Sequence, residues 1–408
     1  MDEYDLVIVG GGLVGGSLAC ALAQTGLRTC VVEAVSPDAA DQPSYDERVI
    51  ALAWGSRRIL EAIGLWCEIA PEAAPIHRIH VSDRGHFGFA RLDCRDEGVD
   101  ALGYVVPARL IGRAIRTGLT GVDLLCPARL LGLQVESDWV GLEIAADGET
   151  RRLRTRLLVA ADGGDSGVRK HLGLAVHERS YGHDAVITAV TADRPQAGVA
   201  FERFTDTGPL ALLPMTGRRY SVVWTVREGE SGEILGLGDA DLLARLQARF
   251  GYRLGRFSRP GRRAAYPLKL VLTKETVHPR VVLIGNAAHT LHPVAGQGLN
   301  LGLRDVAALA DVVAEAAQER RDPGRAEVLD RYRRLRGRDQ VGMAAITDTL
   351  ARLFVSPWSP VRAARNLGLL GLDLAPGLRH LLARRLMGVA ASQPRLARGL
   401  PVGVGHGA

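Results

Sequence analysis

A chain of 408 residues is longer than one hydrophobic core usually serves, so two closely packed domains and a tail are expected. Hydrophobic residues make up 47% of it and charged residues 24%, which excludes a disordered or fibrous protein. The net charge of +6 comes almost wholly from arginine, since only Lys170, Lys269 and Lys274 are lysines, and aromatics are 5%; no basic run carries the interleaved rings of a stacking platform, so no nucleic acid is expected as partner. The five cysteines are odd in number and form no C-x-x-C pair, which predicts a reducing compartment and no metal.

The first element is an apolar strand, Tyr4 to Val9, which leaves no room before it for a basic, apolar signal peptide. No apolar run reaches the roughly 18 residues of a membrane span, so the expectation is a cytoplasmic chain, soluble or peripheral at the inner face of the membrane. Gly10, Gly12 and Gly15 follow in G-x-G-x-x-G spacing and open a helix, with Leu13 and Val14 between them. A second strand, Thr29 to Val32, ends at Glu33 and Ala34, about 20 residues beyond the glycines, where an acidic side chain takes ribose hydroxyls. Gly10 permits the tight turn, Gly12 lets backbone approach a pyrophosphate, and Gly15 lets helix pack on strand. Together these elements predict dinucleotide binding.

Farther along, the apolar run Leu157 to Ala161 ends in Asp162, Gly163 and Gly164 and continues to Arg169. Short β-rich runs follow at 185–192, 199–204, 210–215 and 220–226, separated by turn residues, and Asp239 to Phe250 is an amphipathic helix laid on the sheet they form. A buried strand, Val281 to Ile284, then stops at Gly285 and Asn286, and Gly296, Gln297, Gly298, Leu299 and Asn300 open a new helix. Such a junction brings bare backbone N–H groups up to an anionic ligand. Two glycine-rich strand-to-helix turns this far apart indicate one long cofactor held at both ends, and FAD has that length.

The order of these three motifs resembles the class A flavoprotein monooxygenases. The phrases Arg48-Val-Ile-Ala-Leu, Gly103-Tyr-Val-Val, Val223-Trp and the whole of 285–305 resemble the ubiquinone-biosynthesis hydroxylase branch of that family. The resemblance runs from about Asp5 to Arg338. It implies an α/β fold, in which a Rossmann-like FAD-binding domain (1–75, 101–176 and 277–345) is interleaved with an antiparallel β-sheet substrate domain (76–100 and 177–276). Helices at 346–408 complete the chain. The reaction implied is hydroxylation of a polyprenylated phenol with FAD, NAD(P)H and O2.

By the same resemblance Arg48, Arg109, Asp162, Gly163, Arg169, Gly285 and Asn286 contact FAD. Asn286 stands where relatives often carry Asp, and its amide can still hydrogen-bond a ribityl hydroxyl. Pro107 and Ala108 depart from the Glu and Asn usual before Arg109. The helix N-terminus at 296–300 should face the flavin edge that becomes negative on reduction. Pro293, Val294, Ala295 and Gly296 would line the ring face where oxygen adds. No second G-x-G-x-x-G exists, so NAD(P)H is expected to dock transiently near Asp162 and Arg169.

His289 and His292 invite an acid-base or metal reading, but no acidic residue adjoins them and His289 reads as structural. Tyr181, His183 and Tyr220 are candidates for positioning or deprotonating a phenol, and no catalytic residue is assigned. After Arg338 come helical stretches at 344–355, 361–374 and 376–389, broken by Pro357, Pro360 and Pro376. Leu378, Leu381, Leu382 and Leu386 share one face, which either packs on the flavin domain or docks on a membrane surface or a ubiquinone-biosynthesis complex. Leu400 to Ala408 reads as a frayed end. Two alternatives stay open: a class A hydroxylase for another aromatic substrate, and a flavin-binding scaffold subunit without turnover. A halogenase-like relative is disfavoured, since none of the three lysines lies in a halogenase-type motif.

Overall fold

The computed structural model describes residues 2–36, 48–292, 296–355, 359–390 and 393–403. The expectations for Pro293, Val294, Ala295, Pro357 and 404–408 lie outside these residues. Among those described, the strands form three sheets, of eight, nine and three strands.

The first sheet has a parallel centre. Strand Asp2–Val9 runs parallel to Glu149–Ala160 on one side and Thr29–Val32 on the other; Val281–Leu283 and Asp123–Leu125 extend it in the same sense. The opening strand is buried on both faces, as parallel strands are. Leu6 and Ile8 join a core shared with Ile111, Leu303 and Val306, whereas Val7 and Val9 pack with Val140, Leu142 and Ile144 of an antiparallel hairpin. The helix Gln297–Gln318 is buried almost all round, which explains its apolar composition.

The nine-stranded sheet contains Arg78–Asp83 and Phe89–Asp93 together with the strands between Val176 and Thr273, and His289–Thr290 adds to its edge. It is not wholly antiparallel, because Val199–Thr205 pairs parallel with Arg78–Asp83. Side chains alternate along its strands, so the sheet has two apolar faces. One face carries Phe201, Leu210, Leu212, Val222 and Trp224 and is covered by Leu242, Leu246 and Phe250. Those three lie at i, i+4 and i+8 of helix Asp239–Phe250, and burying each stabilises the unit by about 1.5–3 kcal/mol. The opposite face walls a cavity, and Ala90 and Phe204 on it pack against Leu350, Leu369 and Leu372 of the C-terminal helices.

The C-terminal region differs from its sequence reading in two ways. Residues 344–355 are not a separate helix but the last turns of a helix that begins at Ala326, because no proline or glycine pair interrupts 326–355. The four leucines of the helix Pro376–Leu386 do not act as one face. Leu382 and Leu386, one turn apart, point into the cavity, while Leu378 and Leu381 are 60% exposed.

The helix Ser359–Leu374 is fastened to the nine-stranded sheet by buried charge. Asp83 accepts from Arg365 Nε (3.0 Å) and Nη2 (2.5 Å) and from Asn366 Nδ2 (2.9 Å), and Asn366 Oδ1 accepts from Gly88 N (2.9 Å). A Cβ at Gly88 would sit 2.5 Å from that oxygen, so glycine is required for the approach. Beyond this helix, Gln318 donates to the carbonyl of Gly403, so the end of the chain packs back at least that far.

Candidate flavin and substrate site

The N-terminal turn is tight. Gly10 has φ +102°, and a Cβ there would lie 2.4 Å from the carbonyl oxygen of Ala161; a Cβ on Gly15 would lie 1.9 Å from the oxygen of Gly10. Gly12 is the N-cap of helix Leu13–Leu22. Glu33 accepts from Gly11 N (2.6 Å) and Val35 N (2.8 Å), which holds its carboxylate, with Ala34 beside it, over the glycine turn.

The second motif meets the third. Asp162 Oδ2 accepts from Val168 N (3.1 Å), but its Oδ1 is buried with no hydrogen-bond partner among the described residues. Gly163 has φ +86°, and its Cβ position is open. Arg169 is buried and donates to the carbonyls of Ala287 (3.0 Å) and Gly164 (2.6 Å). Its guanidinium therefore braces the Asp162 loop against the Gly285 turn.

That turn is built around Asp305, a fully buried carboxylate. Asp305 accepts from Gly285 N (3.1 Å), His289 Nε2 (2.6 Å), Arg336 Nε (2.8 Å) and Gln340 Nε2 (2.9 Å). Burial alone would raise its pKa, but His289 and Arg336 more than offset this and hold it well below the usual carboxylate range. His289 thus has an acidic partner after all, sixteen positions along the chain. A carboxylate only accepts, so Nε2 carries the proton. Gly285, at φ +59°, and Gly302 both abut Val14, which packs the two glycine turns on each other.

At the head of helix Gln297–Gln318, Gly296 (φ +61°) is the N-cap. The Asn300 amide is spent on backbone, accepting from Ala53 N (2.7 Å) and donating to Ala51 O (2.8 Å) and Gly296 O (2.6 Å). Asn300 also lines the cavity, whose wall these bonds position. Gln297 Nε2 donates to Leu386 O (3.3 Å), tying the helix start to the C-terminal region.

One cavity of about 600 Å³ begins at this helix start, where Leu13, Asn286, Gly296, Gln297, Gly298 and Leu299 line it. It continues under the nine-stranded sheet, against Ala200, Phe204, Ala211, Leu213 and Val223, and is closed by Leu350, Leu369, Leu372, Leu382 and Leu386. Arg48 lies in its wall, with its guanidinium 5.1 Å from the ring centre of Tyr266. Arg109 is not brought to the cavity; it pairs with Glu72 at the surface (2.8 Å).

The three candidate phenol-positioning residues are engaged elsewhere. Tyr181 donates to Asp348 (3.1 Å), His183 Nδ1 to the carbonyl of Tyr181 (2.6 Å), and Tyr220 to that of Gln196 (2.8 Å). His292 does line the cavity, edge-on to Tyr181, and burial pushes its pKa down to about 4, so it is neutral at pH 7.

Glu202, which the sequence reading missed, is the carboxylate in the cavity wall. It is half-buried and lines the cavity, and burial pushes its pKa up to about 7. The signal was present in Val199–Thr205, where strand alternation puts Glu202 on one face with Ala200 and Phe204.

The residues fit FAD. Gly298 lines the cavity and a Cβ there meets nothing within 4 Å, leaving backbone open to a ligand, while Asp162 Oδ1 awaits a hydroxyl donor. Gly298→Leu should therefore change apoprotein stability by no more than about 0.5 kcal/mol. It should weaken FAD binding by about tenfold or more, measured by flavin fluorescence quenching. Unchanged affinity would place the flavin elsewhere.

Glu202 makes stability depend on pH. Its carboxyl titrates near 4.5 when unperturbed and near 7 when folded, so between these values only the unfolded chain is ionised and stability falls as pH rises. Urea unfolding of the apoprotein from about pH 4 to 8 should show this decline, and Glu202→Gln should remove part of it. Identical slopes for the two proteins would contradict the assignment.

The FAD binding domain family model matches residues 3–348. The ubiquinone hydroxylase UbiL of Rhodospirillum rubrum is 41% identical over 98% of this chain and 93% of its own length. The 3-demethoxyubiquinol 3-hydroxylase of Escherichia coli is 32% identical over 94% and 98%. Among solved structures, the p-nitrophenol 4-monooxygenase PnpA of Pseudomonas putida superposes with a TM-score of 0.79 at 20% identity, covering 96% of this chain and all of that one, which speaks for the fold. Placed beside a cavity that joins two glycine turns to an apolar sheet face, these likenesses show that the chain belongs to the FAD-binding class A monooxygenase family, in its ubiquinone-hydroxylase branch.

Proposed function

We propose that the protein hydroxylates the aromatic ring of a polyprenylated phenol in ubiquinone biosynthesis, using FAD, NAD(P)H and O2. The observation that carries this reading is the single cavity that starts at the Gly296–Asn300 helix head and runs on between an apolar sheet face and C-terminal leucines. A ring held beside the flavin and an apolar tail laid along Leu369, Leu372 and Leu382 would both be kept from water. FAD, when bound, supplies the redox chemistry that takes hydride from the nicotinamide and delivers one oxygen atom from O2.

The chain's own part is binding, orientation and exclusion of water. Gly10, Gly12, Gly15 and Glu33 would hold the adenosine half of FAD, and Gly285, Asn286 and 296–299 the ring half. The positive end of helix Gln297–Gln318 favours negative charge on the flavin edge. Arg48, stacked on Tyr266 in the wall, is placed to meet either flavin or substrate. In this reading 1–75, 101–176 and 277–345 serve the flavin and 76–100 and 177–276 the substrate. Exposed Leu367, Leu374, Leu378 and Leu381 lie on two of the helices that close the cavity, which supports loading of the substrate from a membrane surface.

Purified enzyme given NADPH, oxygen and a polyprenylated phenol should form a product one oxygen atom heavier, read by mass spectrometry. Turnover should be faster with substrate in anionic vesicles than in neutral detergent micelles. Flavin reduction that yields only hydrogen peroxide with every phenol tried would contradict the reading, and equal rates in both carriers would remove its membrane part. A protein that binds flavin but is never reduced by NADPH or NADH would favour the scaffold alternative.

A further inference from the structure

The cavity wall is apolar by construction. The long strands of the nine-stranded sheet turn alternate residues inward, among them Ile79, Val81, Ala185, Ile187, Ala211 and Val223. Glu202 is the only carboxylate among the described residues that line it. Its cross-strand neighbours are Val81 on one side and Ala211 on the other, neither of which can pair with it.

None of the other charged or titratable groups around it pairs with it. Arg48 lies over Tyr266, and Lys269 pairs with Glu178 (3.2 Å). His292 packs edge-on against Tyr181. On the strand itself Arg203 alternates to the other face, and the adjacent His80 contacts Arg253 (3.1 Å). From the helices that close the cavity, Asp348 pairs with Arg179, Arg365 with Asp83, and Asp373 with Arg91. The pKa of Glu202 is raised by burial alone, with no charged group contributing.

A buried carboxylate without a cation weakens the fold, and a leucine or glutamine would fill the same space. Such a group in a ligand cavity is a functional candidate. It is also the one acceptor-only side chain there, suited to an O–H donor on a ligand.

We propose that Glu202 is a catalytic residue that receives the hydroxyl proton of the phenolic substrate, an inference that rests on the reading of function above. The carboxylate oxygen accepts the substrate O–H. As the ring is attacked, that O–H bond breaks, the proton passes to the carboxylate, and the electron pair stays on the phenolic oxygen and feeds the ring. The ring thereby becomes a better nucleophile toward an electrophilic oxygen atom. The ring carbon that takes the oxygen then loses its hydrogen as a proton, which restores the phenolic O–H as the ring regains aromaticity, and the carboxyl passes its own proton through water to the second oxygen atom of O2, which leaves as water, so charge and atoms balance.

The test compares wild type, Glu202→Gln and Glu202→Asp as flavin-loaded enzymes, with 2-geranylphenol and its methyl ether as probes. Wild-type kcat/KM should rise with pH through about 7, where Glu202 ionises. Glu202→Gln should be about a hundredfold slower at pH 7 and lose that rise, with part of the rate recovered near pH 10 where a phenol ionises unaided. Glu202→Asp should restore part of the rate and the pH dependence.

Binding gives a second readout without turnover. Above pH 7 wild type should prefer the phenol over the ether by about tenfold, a preference that Glu202→Gln abolishes. The assignment is overturned if Glu202→Gln keeps the rate within about threefold, the pH profile and the preference for the phenol. Should the wild type bind flavin yet hydroxylate no phenol, the proposed function fails and the role of Glu202 with it; the former result leaves that function standing.

Discussion

The buried carboxylate of Asp305 is the constraint on which the flavin half of the molecule depends. It sits just over two turns inside helix Gln297–Gln318, yet its four donors come from the Gly285 turn, from His289 and from two residues of the helix Ala326–Val355. A charge in that position is stable only because every lone-pair direction is used and Arg336 and His289 stand against it. The same Arg336 also engages Asp339, which in turn pairs with Arg304, so the network ties two helices together along their length. The consequence is geometric: the strand end at Gly285 and the helix head at Gly296, the two places where backbone would meet the flavin, are fixed to one frame. Arg169 then fixes the Asp162 loop to that frame through the carbonyl of Ala287.

The half of the molecule that carries the nine-stranded sheet is held differently. Its large sheet packs one face on the helix Asp239–Phe250 and leaves the other as a cavity wall, so the roof has to come from elsewhere in the chain. It comes from the C-terminal helices, and buried charge again sets their position, this time Asp83 with Arg365 and Asn366. Apolar contacts between leucines would let such helices slide, whereas a hydrogen-bonded ion pair admits one register. Met387 O accepts from Gly55 N (2.9 Å), and a Cβ on Gly55 would come within 2.8 Å of that oxygen, so the roof also rests on the flavin half.

Much of this was legible in the sequence wherever the signal is local. The strand Thr29–Val32 and the helix Asp239–Phe250 have the bounds that their patterns predict, because period and flanking glycines lie within a few residues of each other. The glycine turns were legible for the same reason: each needs a conformation that only nearby residues dictate. What could not be read was pairing across distance. His289 looked partnerless because Asp305 is brought beside it only by the coil of the helix, and the pairing of Arg109 with Glu72 joins residues far apart in the chain. Glu202 required knowing which face of its strand is a wall and which is core, and both faces are apolar. The leucines of Pro376–Leu386 required knowing how far the roof extends.

The central claim is that Asp305 fixes the flavin-binding turns, and the direct measurement is FAD affinity of the apoprotein carrying Asp305→Asn beside one carrying Asp83→Asn. Both changes disturb a buried ion pair of comparable depth and should cost stability, each by about 3 kcal/mol. The account predicts that Asp305→Asn also weakens FAD binding by about tenfold or more, while Asp83→Asn, which acts only on the roof, leaves it within about twofold of wild type. Equal FAD affinity in the two variants would contradict it.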